Sequence, residues 1–209
     1  MTLSTRNLTA LPDIDGLRRL AQSLATLDAI LSPEWEYRYY SFNRSWADGE
    51  MMASMRNGSG DRWFALFCAA GAALHGRVQG APAAAVFGRL PSAFHDNLLH
   101  EPAFTAHEST FCIWRLEDDT RWSSGAAESA AGDDAAGLLE ILDGQPARYV
   151  AFAGSYHERD LEPDDVAAIY AHRPLAPALV RRLNPDVDLA ALADDLDEIG
   201  YPVESLDAP

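Results

Sequence analysis

Lysine is absent from this sequence, and all 16 basic residues among its 209 are arginine. Cysteine is scarce: Cys68 and Cys112 are the only two, and each lies in an apolar, strand-like segment. Two separated cysteines offer too few ligands for a zinc site, and buried reduced thiols are the expected state in a cytosolic protein. We therefore predict no metal site, no cofactor and no structural disulfide.

Long apolar runs are also missing. A membrane-spanning helix needs about 18 consecutive apolar residues, and no such run occurs. The opening segment, MTLSTRNLTALPDIDG, has neither the apolar core nor the basic start of a signal peptide. Together with a composition of 48% hydrophobic and 23% charged residues, these absences predict a globular cytoplasmic protein that does not bind membranes.

Negative charge is in excess and unevenly distributed. The formal net charge is −16. Residues 1–125 contain 11 arginines against 14 acidic residues, whereas residues 126–209 contain 5 against 18, which gives net charges of −3 and −13. Such a field repels nucleic acid and anionic membranes and attracts basic proteins, although a well-solvated surface is the simpler interpretation.

Hydrophobic periodicity separates a first helix from a set of strands. Apolar residues recur every three or four positions from Ile14 to Leu31, which predicts a helix capped by Asp13 or Asp15. Beyond Pro33 the pattern changes and predicts strands. Five segments have this pattern, with TRW as a continuation of the last: EWEYRYYSF, MMASMR, RWFALFCA, AALHGRVQ and STFCIWRL. Because the first four follow one another with short turns, we expect an antiparallel meander.

The segment Asn57-Gly58-Ser59-Gly60 is glycine-rich and raises the question of a phosphate-binding loop. Such loops require a helix directly after the glycines, because the helix N-terminus faces the anion. The residues after Gly60 are instead rich in aromatics and have a strand pattern. We therefore predict a hairpin loop, for which Asn-Gly between two strands is the strongest local signal.

Helical patterns dominate the rest of the sequence. SAFHDNLLHEPAF, at residues 92–104, predicts a short helix with Phe94 and Leu98 facing inward, with Leu99 as a further candidate and with Pro102 as its end. Later in the chain, AGLLEILDG has a helical pattern that ends on Gly144, and four further segments have helical patterns that begin at Pro146, at Pro163, at Pro177 and after the capping Asp188.

Separate groups of strands and helices indicate an α+β fold. We expect an antiparallel sheet of five to six strands with an N-terminal helix and a helical C-terminal half. Residues 1–122 should form the sheet core with its N-terminal helix, and residues 123–137 a small-residue loop or linker. Residues 138–203 should form a helical part that docks on the core as one domain.

Catalytic motifs are missing from the sequence. It has no G-x-S-x-G nucleophile motif, and its six histidines lack the i, i+4 spacing of helical metal ligands. Four titratable residues nevertheless fall near predicted strand ends: His75, Glu101, His107 and Glu108. They are the candidate catalytic residues of an alternative interpretation, a small-molecule-binding protein or enzyme with a pocket at this position.

Charge and aromatic content favour a protein-interaction module over that alternative. The candidate partner-binding residues are two tryptophans and four acidic residues of the last predicted helix: Trp46, Trp122, Asp194, Asp195, Asp197 and Glu198. Tryptophan contributes strongly at protein interfaces, and acidic groups steer basic partners. We predict a basic partner protein and no binding of nucleic acid.

Several segments carry a resemblance to known sequences: SMRNGSGD, GAALHG, EPAF, TFCIWR and LNPDVDLAALADDLDEIGYP. From about Trp35 to Pro202 the chain resembles a family of bacterial hypothetical proteins, a likeness that implies no catalytic residues. In class and charge it is similar, more loosely, to SUKH-type immunity proteins, which are cytoplasmic, acidic α+β modules that bind and neutralise toxins. That likeness implies an immunity or antitoxin-like role.

Overall fold

Six strands form one antiparallel sheet whose spatial order is the order of the sequence. They are β1 (Tyr40–Ala47), β2 (Glu50–Arg56), β3 (Arg62–Cys68), β4 (Gly71–Arg77), β5 (Phe111–Leu116) and β6 (Ser123–Ser124). The computed structural model describes residues 2–82, 85–125 and 135–204. The predicted α+β class is confirmed, whereas most of the predicted linker at 123–137 lies outside the described residues.

Six α-helices accompany the sheet within these ranges. They are α1 (Ile14–Leu31), α2 (Ala136–Leu139), α3 (Pro146–Tyr156), α4 (Pro163–Tyr170), α5 (Pro177–Leu183) and α6 (Leu189–Ile199). The last four begin where the sequence predicts, at prolines or after the capping Asp188, and α6 ends at Ile199 with Gly200, which has φ 72°, as its C-cap. None of the described helices is long and apolar enough to cross a membrane.

Helix α1 lies between the sheet and the C-terminal helices. Asp13 caps its start by accepting a hydrogen bond from the backbone N–H of Gly16 at 2.8 Å. Every residue from 20 to 31 is buried, because α1 packs against β1 and also against α4, α5 and α6. Polar contacts reinforce this packing: the Gln22 amide donates to the Ile199 carbonyl at 2.9 Å.

The residues in the turns determine the conformation of the first two hairpins. Between β1 and β2, Gly49 has φ 72°, a left-handed conformation that favours glycine. Between β2 and β3, the Asn57 Oδ1 atom accepts hydrogen bonds from the N–H groups of Ser59 and Asp61 at 2.9 and 3.1 Å. A strand rather than a helix follows Gly60, so the predicted hairpin loop is confirmed.

Alternation along β3 directs its side chains into two apolar clusters, one on each face of the sheet. Trp63 and Phe67 belong to the cluster that includes α1 and the C-terminal helices, whereas Leu66 belongs to the second cluster. The segment after β4 completes the second cluster with Val86, Leu90, Phe94, Leu98 and Phe104.

The segment that covers the second face is not the single short helix predicted from SAFHDNLLHEPAF. It forms 3-10 turns at Ser92–Phe94, Pro102–Phe104 and Ala106–Glu108 and a π turn at His95–Leu99. Pro102 disfavours helical geometry at Glu101, and Thr105 has φ 45°, which redirects the chain. Phe94 and Leu98 are nevertheless fully buried, as predicted.

The first strand begins later than predicted. Residues Trp35–Tyr37 form a 3-10 turn, and β1 starts only at Tyr40. The buried Asp28 carboxylate of α1 accepts the backbone N–H groups of Tyr39 and Tyr40 at 2.7 and 2.9 Å. These bonds fix the point at which the chain enters the sheet and leave the preceding turn at the surface.

Candidate functional site

Three large aromatic side chains are exposed together beside the start of β1. Trp35, Tyr37 and Tyr156 expose 56, 57 and 40% of their surface, and Val203 is the only other exposed large hydrophobic residue among those described. The Tyr156 hydroxyl donates to the backbone carbonyl of Tyr37 at 2.9 Å and so joins α3 to the turn. A concentration of exposed aromatic rings is typical of an interaction surface.

The side chain of Arg38 connects the turn Trp35–Tyr37 to the backbone before it and to α6. The buried Arg38 guanidinium donates to the carbonyls of Ser32 and Pro33 at 2.8 and 2.6 Å. It also donates to both carboxylate oxygens of Asp195 in α6, at 2.8 and 2.7 Å. A surface fixed in this way loses little conformational entropy when it binds.

A second layer of aromatic rings supports Tyr156. Its ring centroid lies 4.3 Å from that of Tyr39 and 5.5 Å from that of Phe152. Burial, together with the charge of Asp28, raises the pKa of Tyr156. Its hydroxyl therefore stays protonated at neutral pH and remains a hydrogen-bond donor.

Three acidic residues and two exposed arginines, Arg56 and Arg159, lie beside the exposed rings or next to them in sequence. Glu34 and Glu36 flank the aromatic residues of the turn, Glu158 lies just beyond the end of α3, and all three are exposed. The guanidinium carbon of Arg56 lies 4.4 Å from the centre of the Trp35 ring, a cation–π contact. We call the surface formed by Trp35, Tyr37, Tyr156, Glu34, Glu36 and Glu158 the aromatic–acidic face.

A cleft of about 550 Å³ opens next to this face, between the start of β1, the end of β2 and helices α2 and α3. Tyr39 and Phe152, the rings that support Tyr156, form part of its wall. Its polar lining includes Glu140 and Arg148, which form an ion pair at 3.0 Å. The volume lies in the range of small-ligand pockets and is large enough for an inserted side chain.

The acidic residues predicted on α6 are mostly paired within the molecule. Three of the four bond to side chains of β1 or just before it, in the pairs Asp195–Arg38, Asp197–Arg44 and Glu198–Asn43. Asp194 is exposed on the same helix. Arginine therefore offsets the charge of Asp195 and Asp197, whereas Glu198 bonds a neutral amide and Asp194 is exposed.

The two tryptophans predicted to bind a partner are both half-buried. Trp46 stacks on Phe104 with ring centroids 5.9 Å apart. The Trp122 Nε1 group donates to the backbone carbonyl of Pro12 at 2.6 Å. Both rings make internal contacts, and neither belongs to the aromatic–acidic face.

His75, the central residue of the alternative interpretation, lies in the interior. Its Nδ1 is 2.8 Å from the Ser109 Oγ, and its Nε2 has no hydrogen-bond partner in the part of the chain that is described. Burial, with a smaller effect of Arg62, lowers the pKa of His75 to about 3, so the ring is neutral at neutral pH. Glu108 accepts hydrogen bonds from Arg62 and Arg77, which lower the pKa of its carboxyl.

Among the described residues, the surroundings of His75 leave no space for a substrate. The space between the ring and the Arg62–Glu108–Arg77 network is too small for a water molecule. Glu101 caps a 3-10 turn by accepting the N–H of Ala103 at 2.9 Å, and the side chain of His107 is 80% exposed. His75 and Glu108 thus line the same small space, the exposed His107 ring lies 3.9 Å from the Glu108 carboxylate, and Glu101 is not part of this lining.

Metal binding finds no support in the described ranges either. Within residues 2–82, 85–125 and 135–204, no group of three or more His, Cys, Asp or Glu side chains is arranged to hold an ion.

The sequence does not single out Trp35, Tyr37 or Tyr156 as binding residues. In EWEYRYYSF the aromatic positions have the pattern of a half-buried strand. The available signal is the flanking charge, because Glu34 and Glu36 on either side of Trp35 favour exposure of this segment.

Comparisons with protein-family models, with curated proteins and with solved structures gave no match for the chain. Its function is therefore inferred from the geometry of its own residues.

Proposed function

We propose that the chain is a protein-interaction module that binds a basic segment of a partner protein on the aromatic–acidic face. The observation that carries the proposal is the clustering of Trp35, Tyr37 and Tyr156, three of the four exposed large hydrophobic residues among those described. Tryptophan and tyrosine contribute much of the binding energy at protein interfaces. Burying such rings against a partner is favourable because it removes apolar surface from water.

Charge and ring geometry favour a basic partner. The Trp35 ring has the Arg56 guanidinium 4.4 Å from its centre, and the exposed ring of Tyr37 offers the same kind of acceptor to a partner arginine or lysine. Glu34 and Glu36 supply carboxylates beside these rings. The net charge of −16 also accelerates the encounter with a positively charged protein.

The neighbouring cleft provides a place for a partner side chain. Tyr39 and Phe152 give it an aromatic wall, and Glu140 and Arg148 form an ion pair in its lining. A side chain with a long apolar stem and a charged end matches this combination. The resemblance to SUKH-type immunity proteins favours a toxin as the partner, so we propose a cytoplasmic, immunity-like role.

Capture followed by a binding measurement tests the proposal. Tagged wild type and the Trp35→Ala/Tyr37→Ala variant are incubated with a lysate of the source cells at low and high salt, and retained proteins are identified by mass spectrometry. We expect one basic protein that is retained by wild type at low salt and is lost from the variant. Calorimetry on the purified pair should then give a loss of affinity of about tenfold or more for each aromatic substitution.

Matched variants separate the aromatic and charge contributions. Val203→Ala removes an exposed apolar side chain outside the face and should leave binding unchanged. Glu34→Gln with Glu36→Gln should slow association and weaken its salt dependence, whereas the charge-matched control Glu162→Gln with Asp164→Asn should not. Equal retention by the aromatic variant, an acidic or neutral partner, or an empty capture with wild type would overturn the proposal.

A further inference from the structure

A second cleft, of about 620 Å³, lies at the other end of the strand order from the aromatic–acidic face. Its wall combines the segment before α1 with β5 and the residues around β6. Arg6, Arg115 and Arg121 line it, and no aspartate or glutamate does so among the described residues. Acidic residues outnumber arginines 32 to 16 in the chain, so the charged residues that are described in this lining differ from the composition of the chain.

Arg115 contacts Asp119 through the backbone of that residue and not through its carboxylate. Its Nε donates to the backbone carbonyl of Asp119 at 2.9 Å, which fixes the guanidinium. The Asp119 carboxylate accepts the backbone N–H of Leu116 at 3.3 Å and forms no ion pair with Arg115. Arg121 is exposed at the same cleft. The like charges of Arg115 and Arg121 repel each other, so an anion bound between them would be stabilised.

The remaining wall of the cleft contains apolar side chains. Leu8 and Leu11 line it together with Trp122. The indole of Trp122 is fixed by its 2.6 Å hydrogen bond to the Pro12 carbonyl. Guanidinium groups bind phosphate through paired N–H donors, and an apolar wall beside them suits an organic anion better than a bare inorganic one.

We propose that this cleft binds a phosphorylated small molecule. The phosphate is held by Arg115 and Arg121, and the organic part packs on Leu8, Leu11 and Trp122. This gives Trp122, which the sequence suggests as a partner-binding residue, a role in ligand binding. The site is separate from the aromatic–acidic face and does not depend on the proposed partner.

Isothermal titration calorimetry on the full chain at fixed ionic strength tests this site. The probes are adenosine 5′-monophosphate and phenyl phosphate, their uncharged counterparts adenosine and phenol, inorganic phosphate, and citrate. We expect at least one organic phosphate to bind about tenfold or more tightly than its uncharged counterpart, inorganic phosphate and citrate. Arg121→Gln should weaken that binding by about tenfold, and Arg115→Gln should do the same.

Two controls separate loss of binding at this cleft from loss of folding and from a general effect of removing an arginine. Arg121 is exposed, so its variant retains the fold, as circular dichroism will verify, even if Arg115→Gln does not. Arg89→Gln removes an exposed arginine outside the cleft and should leave affinity unchanged. The proposal is overturned if neither organic phosphate binds, if the uncharged compounds bind equally well, if citrate binds more tightly, or if Arg89→Gln weakens binding as much as Arg121→Gln.

Discussion

The Tyr149 hydroxyl of α3 donates a 2.5 Å hydrogen bond to the Asp28 carboxylate of α1, although 121 residues separate the two in sequence. Both side chains are fully buried. Asp28 also accepts the backbone N–H groups of Tyr39 and Tyr40, and it lies 3.4 Å from the Nε2 of His157. One carboxylate therefore joins α1, α3 and the start of β1, and so sets the position of the aromatic–acidic face.

Removing the Tyr149 hydroxyl tests the energetic weight of this contact. We expect Tyr149→Phe to lower the free energy of unfolding by about 2 kcal/mol, because it deletes a hydrogen bond to a buried charge. The matched control is Tyr170→Phe, since the buried Tyr170 hydroxyl has no hydrogen-bond partner among the described residues and its loss should be nearly neutral. Urea denaturation of both variants measures the difference, and equal losses would contradict the assignment.

Burial of the neutral His75 ring makes stability depend on pH in a defined window. Burial lowers the pKa of His75 from 6.5 to about 3, so between these values the unfolded chain binds a proton that the folded chain does not. The stability that the neutral ring contributes is complete above pH 6.5 and is lost as the pH falls toward 3. From this source, wild type should lose about 2 kcal/mol between pH 7.5 and pH 5.

Denaturation of wild type and His75→Asn at several pH values isolates that contribution. The difference between their free energies of unfolding should shrink by the stated amount as the pH falls to 5. His107→Gln, which changes a side chain that is 80% exposed, serves as the control and should follow wild type. A difference that stays constant with pH would argue against a neutral buried ring.

Two arginine–aspartate pairs between α6 and the region of β1 should differ greatly in their effect on stability. The side chain of Arg38 is only 6% exposed in its pair with Asp195, whereas Arg44 and Asp197 are 47 and 77% exposed. We expect Arg38→Ala to lower the free energy of unfolding by about 3 kcal/mol, because a buried donor network is broken. Arg44→Ala should change it by less than about 0.5 kcal/mol. Thermal unfolding compares the two, and similar losses would contradict the burial argument.

Two glycine-to-alanine substitutions should have opposite effects. Gly71 opens β4 with φ 133°, and a Cβ there would overlap the backbone of β5, so Gly71→Ala should destabilise the fold by about 3 kcal/mol. Gly154 lies in α3 with open space around its missing Cβ, and Gly154→Ala should stabilise by about 0.5 kcal/mol or more through helix propensity. Melting temperatures that move in the same direction for both variants would refute this pair of predictions.

Elements defined by neighbouring residues are the ones that the sequence predicts well. The Asp13 cap, the turn at Gly49 and the Asn57 loop each depend on contacts within a few residues. The alternating faces of β3 follow from a period of two. These local rules are sufficient for the α+β class and the meander.

Features that depend on distant partners could not be predicted in the same way. The turn Trp35–Tyr37 is fixed by Asp28 and by Arg38, whose carboxylate partner Asp195 lies 157 residues further on. The acidic residues of α6 likewise bond to residues in or just before β1, which are far away in sequence, so these contacts could not be predicted either. For the alternative site, the sequence places His75 near a strand end, but its enclosure depends on Phe104 and other residues of a segment that is not regular in structure.

The central position of α1 has a consequence for how the protein is made. Gln22 bonds to the carbonyl of Ile199, 177 residues later, and Ser23 to that of Ile169. This apolar helix therefore leaves the ribosome long before the residues that will cover it, and contacts so far apart in sequence slow folding. Until residue 199 has emerged, the nascent chain exposes an apolar surface to which chaperones and other chains can bind. A polypeptide cut before α6 should accordingly aggregate or be degraded, because no smaller part of the molecule encloses its first helix.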